Sequence, residues 1–393
     1  MRQDKTRKKK IKNLLSLMIK QNERLFVIAP PLVEMVDLVI TDEELDFLIF
    51  MKSKIYNYKQ ALSASMMPEK VFLKFFEKLK RKGFIYTEYS DKGKDLYRLN
   101  AIVVGWYECM IYYLNGKPDE EKFSEKWNDY FIYFQKFNFF PLRNIQNLYL
   151  RNTLVPNQDT AIMNIGKTGR TKSKIIPINK SINPSDTKIY PTFFVNDLIE
   201  EYGNGNEIHV FPCVCRHGNQ LIDSNCKYDA PVESCFAFNN LERNWSNLGY
   251  GRKIAKSEAI EILKDARDKG AIHSVIHERD DPSQPIVNIC NCCWDCCGIL
   301  KGYNMGALSL KYNSSFTAQL KEDAECKECG NCEKYCPTTA ITLKNGRVSI
   351  NSDICIGCGQ CAYQCSQNNI ELYANKRTVF LPILKKSEAR IPV

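Results

Sequence analysis

The sequence predicts an α+β chain of several domains, and three observations carry that prediction. The first hundred residues give helix, helix, helix and hairpin signals in that order; nine cysteines fall between residues 213 and 297; and eight more form two nearly identical runs between 326 and 365. At 393 residues the chain is long enough for two or three hydrophobic cores. We divide it into a basic N-terminal tail (1–34), a helical domain with a hairpin (35–110), and an aromatic helical segment followed by a polar linker (111–190). A cysteine-rich α+β domain (191–312), a domain built on the doubled cysteine motif (313–375) and a C-terminal tail (376–393) complete it.

The net charge is +10, with Arg2, Lys5, Arg7, Lys8, Lys9, Lys10 and Lys12 crowded into the first dozen residues. Such a run reads first as a solvated, disordered tail, and otherwise as a contact for nucleic acid, an acidic protein or anionic lipid. The apolar stretch that follows, Leu14 to Ile19, is cut off by Lys20, too short for a signal-peptide core and far too short to span a bilayer. A long chain with 18 cysteines and no cleavable signal is expected to be cytoplasmic, reduced and anaerobic in character rather than a disulfide framework.

In domain 35–110, Thr41-Asp42-Glu43-Glu44 opens a helix with a capping box ahead of Leu45, Phe47, Leu48, Ile49 and Phe50. A second helix fits Lys59–Ser65. Pro68 precedes a third over Glu69–Lys82, stopped by Gly83, with an apolar stripe of Val71, Phe72, Phe75, Phe76 and Leu79 opposite Lys70, Lys74, Lys78 and Arg81. Residues 84–89 and 95–99 around Ser90–Lys94 read as a two-stranded wing. This order resembles a winged-helix domain. The resemblance implies that the third helix enters a DNA groove in nucleic-acid-binding members, with those basic residues on phosphates. Winged helices also serve as docking or structural modules, and base-reading asparagine or glutamine is missing from this helix.

Residues 103–140 are helical in period and carry Trp106, Tyr107, Tyr112, Phe123, Trp127, Tyr130, Phe131, Phe134 and Phe137, which predicts core and an inter-domain packing surface. Cys109 among them is expected to be a small buried hydrophobe. In the polar linker, Gly166-Lys167-Thr168 echoes the end of a phosphate loop, but position 161 is Ala and no apolar strand precedes it, so nucleotide binding is rejected.

After a helix expected over Thr192–Tyr202 come Cys213, Cys215, Cys226 and Cys235, then Cys290, Cys292, Cys293, Cys296 and Cys297. Cys213 and Cys215 are predicted on one side of an extended strand, and the pairs Cys292/Cys296 and Cys293/Cys297 on adjacent faces if their segment is helical. So many soft thiolates argue for metal. Zinc prefers paired C-x2-C knuckles, present here only as Cys293/Cys296, so an additional iron-sulfur cluster is favoured over zinc. Cys296-Cys297-Gly298 has a faint likeness to the Cys-Cys-Gly signature of heterodisulfide-reductase catalytic subunits. Arg216 and His217 are placed to hydrogen-bond sulfur, His217 to ligate, or Arg216 to pair with Asp295. Between the two cysteine groups Ser257–Lys269 reads as a Ser-capped helix closed by Gly270. His273 and His277, four apart, face a proton-coupled redox site or are structural.

The C-terminal runs are Cys326-x2-Cys329-x2-Cys332-x3-Cys336-Pro337 and Cys355-x2-Cys358-x2-Cys361-x3-Cys365-Ser366. Two such runs in tandem are the ligand pattern for two 4Fe-4S cubanes, the fourth cysteine of each run reaching the other cluster. On that reading cluster I takes Cys326, Cys329, Cys332 and Cys365, and cluster II takes Cys355, Cys358, Cys361 and Cys336; disulfides or structural zinc are the competing uses of these sulfurs. Asn345-Gly346 between Ala340–Leu343 and Arg347–Ile350 signals a hairpin. Residues 318–372 resemble bacterial-type two-cluster ferredoxins, departing from them at Ser366, where such proteins often repeat the proline. The resemblance implies an iron-sulfur electron-transfer protein with a redox partner as donor or acceptor. An oxidoreductase centred on the middle cysteines and a redox-responsive DNA-binding regulator are the alternatives.

Overall fold

The computed structural model describes residues 2–21, 27–90, 94–138, 189, 190, 192, 197, 199, 200, 207–222, 226–277, 286–322 and 325–391. Gly166-Lys167-Thr168 and nearly all of the linker expected over 151–190 lie outside the described residues, as does most of the helix expected over Thr192–Tyr202.

The front of the molecule begins with α1 (Arg2–Ile19), α2 (Pro30–Val39) and α3 (Asp42–Met51). The basic N-terminus is therefore no disordered tail. Ile11, Leu14, Leu15 and Met18 recur three and four apart, are fully buried, and share one core with Leu32, Met35, Leu45 and Leu48. Of the cations off that stripe, Arg7 donates to Asp37 at 2.6 Å, to the Ile40 carbonyl at 2.7 Å and to Asp42, and Lys10 pairs with Asp46 at 2.5 Å.

The capping box of α3 is present in both directions, Glu44 N to Thr41 Oγ1 at 3.2 Å and Thr41 N to Glu44 Oε2 at 2.9 Å. Then follow β1 (Tyr56–Asn57), α4 (Tyr58–Ser65), α5 (Glu69–Arg81), β2 (Ile85–Glu88) and β3 (Leu96–Leu99), the strands in the order β1-β3-β2. Phe72, Phe76 and Leu79 of α5 are buried, Phe72 and Phe76 with ring centroids 6.0 and 6.3 Å from Phe47. Val71, expected on the same stripe, is 54% exposed, because it sits one residue and so about 100° off the line through Phe72, Phe76 and Leu79.

Helices α6 (Tyr107–Leu114) and α7 (Glu120–Asn138) carry the aromatic segment, and Tyr107 stacks on Trp127 with centroids 4.2 Å apart. Cys109 is buried in an inter-domain cluster with Phe211, Leu241 and Trp245.

The middle of the chain is a six-stranded antiparallel sheet in the order β4-β8-β9-β6-β5-β7. Its strands are β4 (Ile189–Tyr190), β5 (Ile208–Pro212), β6 (Glu233–Ala237), β7 (Arg252–Ile254), β8 (Ile272–His277) and β9 (Ile286–Cys292). Helices α8 (Val214–Leu221), α9 (Asn239–Asn247) and α10 (Lys256–Asp268) join them, α10 burying Ala259 and Leu263 against Val210, Phe236 and Val275. Ser257 lies inside the first turn of α10, whose cap residue is Ala255, and Gly270 at φ +96° ends it.

After α11 (Gly298–Asn304), the C-terminal unit hangs on a long ribbon, β10 (Leu310–Leu320), inside which sits the hairpin β11 (Ile341–Lys344) and β12 (Arg347–Ile350); β13 (Ile370–Leu381) closes the ribbon antiparallel to β10. Asn345 and Gly346 both take positive φ, 49° and 73°, as a two-residue hairpin turn of this kind requires. β13 runs straight through the expected boundary at 375/376, and beyond it Ile383 and Leu384 are buried, so the C-terminal segment is packed rather than a loose tail. No helix among the described residues is long and apolar enough to cross a membrane.

Candidate metal centres

All eighteen cysteines are free thiols, with no disulfide among them. In the C-terminal unit each cysteine run is built alike. A loop bearing two cysteines turns at a glycine with positive φ, Gly330 (73°) or Gly359 (78°), into a one-turn helix that carries the third, Cys332 in α12 (Asn331–Lys334) and Cys361 in α13 (Gln360–Tyr363). Cys326, Cys329, Cys332 and Cys365 line one cavity of about 290 Å³. Burial raises the Cys332 thiol, and the neighbouring Cys326, Cys329 and Cys365 raise it further. Burial likewise raises Cys355, Cys358 and Cys361, and Cys336 stands beside each of the three. The fourth cysteine of each run thus lies with the trio of the other. Backbone N–H groups already point at sulfur: Glu328 at Cys326, Ala318 at Cys355 and Asn369 at Cys365, each at 3.4 Å. The two sets differ in exposure, since Cys326 and Cys329 are open to solvent and Cys336, Cys355, Cys358 and Cys361 are buried.

The central thiols depart from the expected local geometry. β5 stops at Pro212, so Cys213 caps α8 and Cys215 lies in its first turn, not on a strand. Cys293 to Cys297 form a tight turn after β9, closed by Cys297 N to Cys293 O at 3.1 Å, not a helix. Tertiary packing then sorts the nine into two groups. In the larger, Cys235 interacts with Cys290, Cys290 with Cys292, Cys292 with Cys297, and Cys297 with Cys215, with Cys213 adjacent to Cys215; Asn288 bridges the first pair, donating to Cys235 Sγ at 3.3 Å and accepting from Cys290 Sγ at 2.7 Å. The thiol contact with Cys235 and then burial push Cys290 up; the contact with Cys290 does the same to Cys292. In the smaller group, Cys226 meets Cys293 at 3.5 Å and also Cys296, beside Asp295. Hydrogen bonds from Cys293 and then Cys296 hold the Cys226 thiol below its usual range.

Between the groups lies Arg216, fully buried, donating to Ser234 Oγ at 3.0 Å, the Asn291 carbonyl at 3.2 Å, the Pro231 carbonyl, and Cys293 Sγ at 3.3 Å. Of the two roles open to it in the sequence, the structure gives it the sulfur contact. His217 instead turns to Glu120 at 2.6 Å. Lys301, which no motif singles out, is a second buried cation near Cys296, held by Asn219 Oδ1 at 2.5 Å, and burial lowers its pKa. His273 is fully buried against Asn291 Oδ1 at 2.5 Å, while His277 is the last residue of β8.

One hydrophobic core joins the central and C-terminal units: Cys293, Cys296, Cys297 and Trp294 share it with Cys358, Ile356 and Leu381. Tyr228 crosses the junction, accepting from Trp294 Nε1 at 2.5 Å, donating to the Lys334 carbonyl at 2.6 Å and stacking on Tyr335 at 5.0 Å.

The family model that matches the chain is the 4Fe-4S dicluster domain, over residues 319–366. An uncharacterised ferredoxin of Methanocaldococcus jannaschii is 48% identical over 42 residues, 10% of this chain and 25% of that one. A second, uncharacterised protein of the same organism is 54% identical over 39 residues, 9% of this chain and 10% of its own length, so the chain spans a quarter or less of these two relatives. Ferredoxin-1 of Rhodobacter capsulatus is 42% identical over 57 residues, which are 13% of this chain but 88% of that ferredoxin. No solved structure matches. With nearly the whole of a free-standing bacterial ferredoxin reproduced in its C-terminal unit, the chain belongs to the 4Fe-4S dicluster ferredoxin family and carries an iron-sulfur electron-transfer domain.

Proposed function

We propose that the chain is an electron-transfer protein with two 4Fe-4S clusters in its C-terminal unit and a further iron-sulfur cluster in its centre. Cys326, Cys329, Cys332 and Cys365 hold cluster I; Cys355, Cys358, Cys361 and Cys336 hold cluster II. Soft thiol donors, the cavity of about 290 Å³ at the first set and N–H groups aimed at sulfur all suit such a group. For the central cluster we take Cys213, Cys215, Cys235, Cys290, Cys292 and Cys297, six contiguous thiols being more than one tetrahedral ion accepts. When bound, these clusters supply one-electron carriers whose potentials follow from ligation, hydrogen bonds to sulfur and burial.

The observation that carries this reading is the shared core of Cys358 with Cys297 of the central set, beside the solvent exposure of Cys326 and Cys329. The exposed loop offers a face to a redox partner, and basic residues on the surface suit an acidic one. The buried set faces the central thiols and excludes water from them. The helical front is a winged-helix module acting as scaffold. The wing strand β2 is occupied by the central domain, Asn244 bonding the Thr87 backbone in both directions at 3.0 and 2.8 Å, and Lys78 of the basic face is held by Glu44 at 3.0 Å.

The test is metal analysis of strictly anaerobic full-length protein. About 8 irons per chain are expected from the doubled motif alone, with more from the central thiols. About 4 or fewer after full reconstitution would overturn the two-cluster assignment, and Cys292→Ser leaving the iron count unchanged would remove the central cluster.

A further inference from the structure

The smaller group of central thiols has a geometry that none of the cluster sites shares. One ligand atom each from Cys226, Cys293, Asp295 and Cys296 lies within 4.8 Å of all the others, and the Cys226 and Cys293 sulfurs are 3.5 Å apart. Thiolates on one tetrahedral zinc, with Zn–S near 2.3 Å, stand about 3.8 Å from each other. The donor set is also incomplete without a cation. Asp295 is 6% exposed; its Oδ2 accepts the Lys227 N–H at 2.6 Å, while its Oδ1 is buried with no hydrogen-bond partner. A buried, unpartnered carboxylate oxygen on a residue grouped with three thiols is the condition of a ligand.

We propose that Cys226, Cys293, Cys296 and Asp295 bind a single zinc ion in a closed, structural site. Four protein donors fill a tetrahedron, so no position is left for water or substrate. Arg216, donating to Cys293, and Lys301, near Cys296, offset the excess negative charge of three thiolates and a carboxylate around one divalent ion. The C-x2-C pair Cys293/Cys296 is one half of the site; the other half comes from residue 226, far off in sequence. The ion fastens the segment leading to Tyr228 onto the turn that carries Trp294, and these two residues make the junction with the C-terminal unit. The site is independent of the iron-sulfur assignment above.

The experiment uses full-length, anaerobically purified, iron-replete protein. We expect about one zinc per chain that survives EDTA dialysis, lost in Cys226→Ser and released faster by Asp295→Asn, with the iron count of both variants equal to wild type. Cobalt(II) added during growth in place of zinc should give the intense d–d and thiolate charge-transfer bands of a tetrahedral thiolate site in the wild type. Wild-type protein that takes up neither zinc nor cobalt at this level overturns the proposal, even if Cys226→Ser proves insoluble. So does a Cys226→Ser variant that loses iron along with zinc. Failure of the cluster reading would show instead as missing iron with zinc retained.

Discussion

Gln360 donates from Nε2 to the carbonyl oxygen of Ala271 at 2.6 Å and to that of Arg267 at 3.1 Å. It occupies the variable position just before Cys361 in the second cysteine run and is completely buried, so a residue the motif leaves free is what docks the C-terminal unit onto the end of α10. Thr192 N reinforces the contact, donating to the Cys358 carbonyl at 2.9 Å. Gln360→Ala should leave the buried Ala271 carbonyl without this donor, while the Arg267 carbonyl keeps the Gly270 N–H at 2.8 Å, and cost about 1–3 kcal/mol, read as a lower denaturant midpoint with iron content unchanged.

Cys336→Ser should remove iron from cluster II, whereas Cys109→Ser should not alter iron at all. Cys109 is buried between domains and burial pushes its thiol well up, away from any thiolate role. Iron quantification of the two anaerobic variants separates them.

Gly357 lies between Cys355 and Cys358 at φ +69°, where a Cβ would stand 2.3 Å from the Phe316 carbonyl oxygen and 2.6 Å from Ser314 Oγ. Gly330 in the first run has φ +73° but nothing within 4 Å. Gly357→Ala should therefore displace the loop against β10 and lower cluster II iron, while Gly330→Ala costs only the backbone strain of about 1 kcal/mol and retains its iron. Iron stoichiometry with thermal unfolding distinguishes these outcomes.

Lys82 Nζ lies 2.8 Å from Glu44 Oε2 and 2.7 Å from the Val39 carbonyl, with both side chains buried. Glu44 also closes the capping box of α3. Burial alone would raise its pKa, but the hydrogen bonds from Lys82 and Thr41 prevail and lower it. Glu44→Gln strands a buried ammonium and should destabilise the front by about 3 kcal/mol in chemical denaturation.

Burial pushes the pKa of His273 from 6.5 down to about 4; the hydrogen bond to Asn291 opposes this and Arg267 adds to it. The unfolded chain then takes up a proton that the folded chain refuses. The associated stability is complete above pH 6.5 and falls away as pH drops toward 4, amounting there to about 3 kcal/mol. His273→Gln should be less stable at neutral pH but show a flatter decline between those limits. Denaturant midpoints of the two proteins over that range test it, the difference cancelling the acid lability both share.

The capping box at Thr41, the Asn345-Gly346 turn and the doubled cysteine runs all depend on residues within a few positions of each other, so each is legible in the amino-acid order alone. The amphipathic stripe Ile11, Leu14, Leu15, Met18 is equally present there, but the density of lysines around it argues for a solvated tail, although charge on one face is no obstacle to burial of the other. Asp295 and Lys301 carry no comparable signal because neither sits in a spaced motif; only their burial beside thiols marks them.

The amino-acid order alone shows that this chain holds a dicluster ferredoxin unit, since the spacings of its eight cysteines fall within single loops and turns whose geometry is set locally. How the nine central cysteines divide was decided only by tertiary structure, which brings Cys226 to Cys293 and Cys235 to Cys290 across the fold. Sulfurs that far apart in the chain are positioned by sheet register and by the close packing of Tyr228, Trp294 and Arg216, and no spacing rule along one strand of residues encodes that.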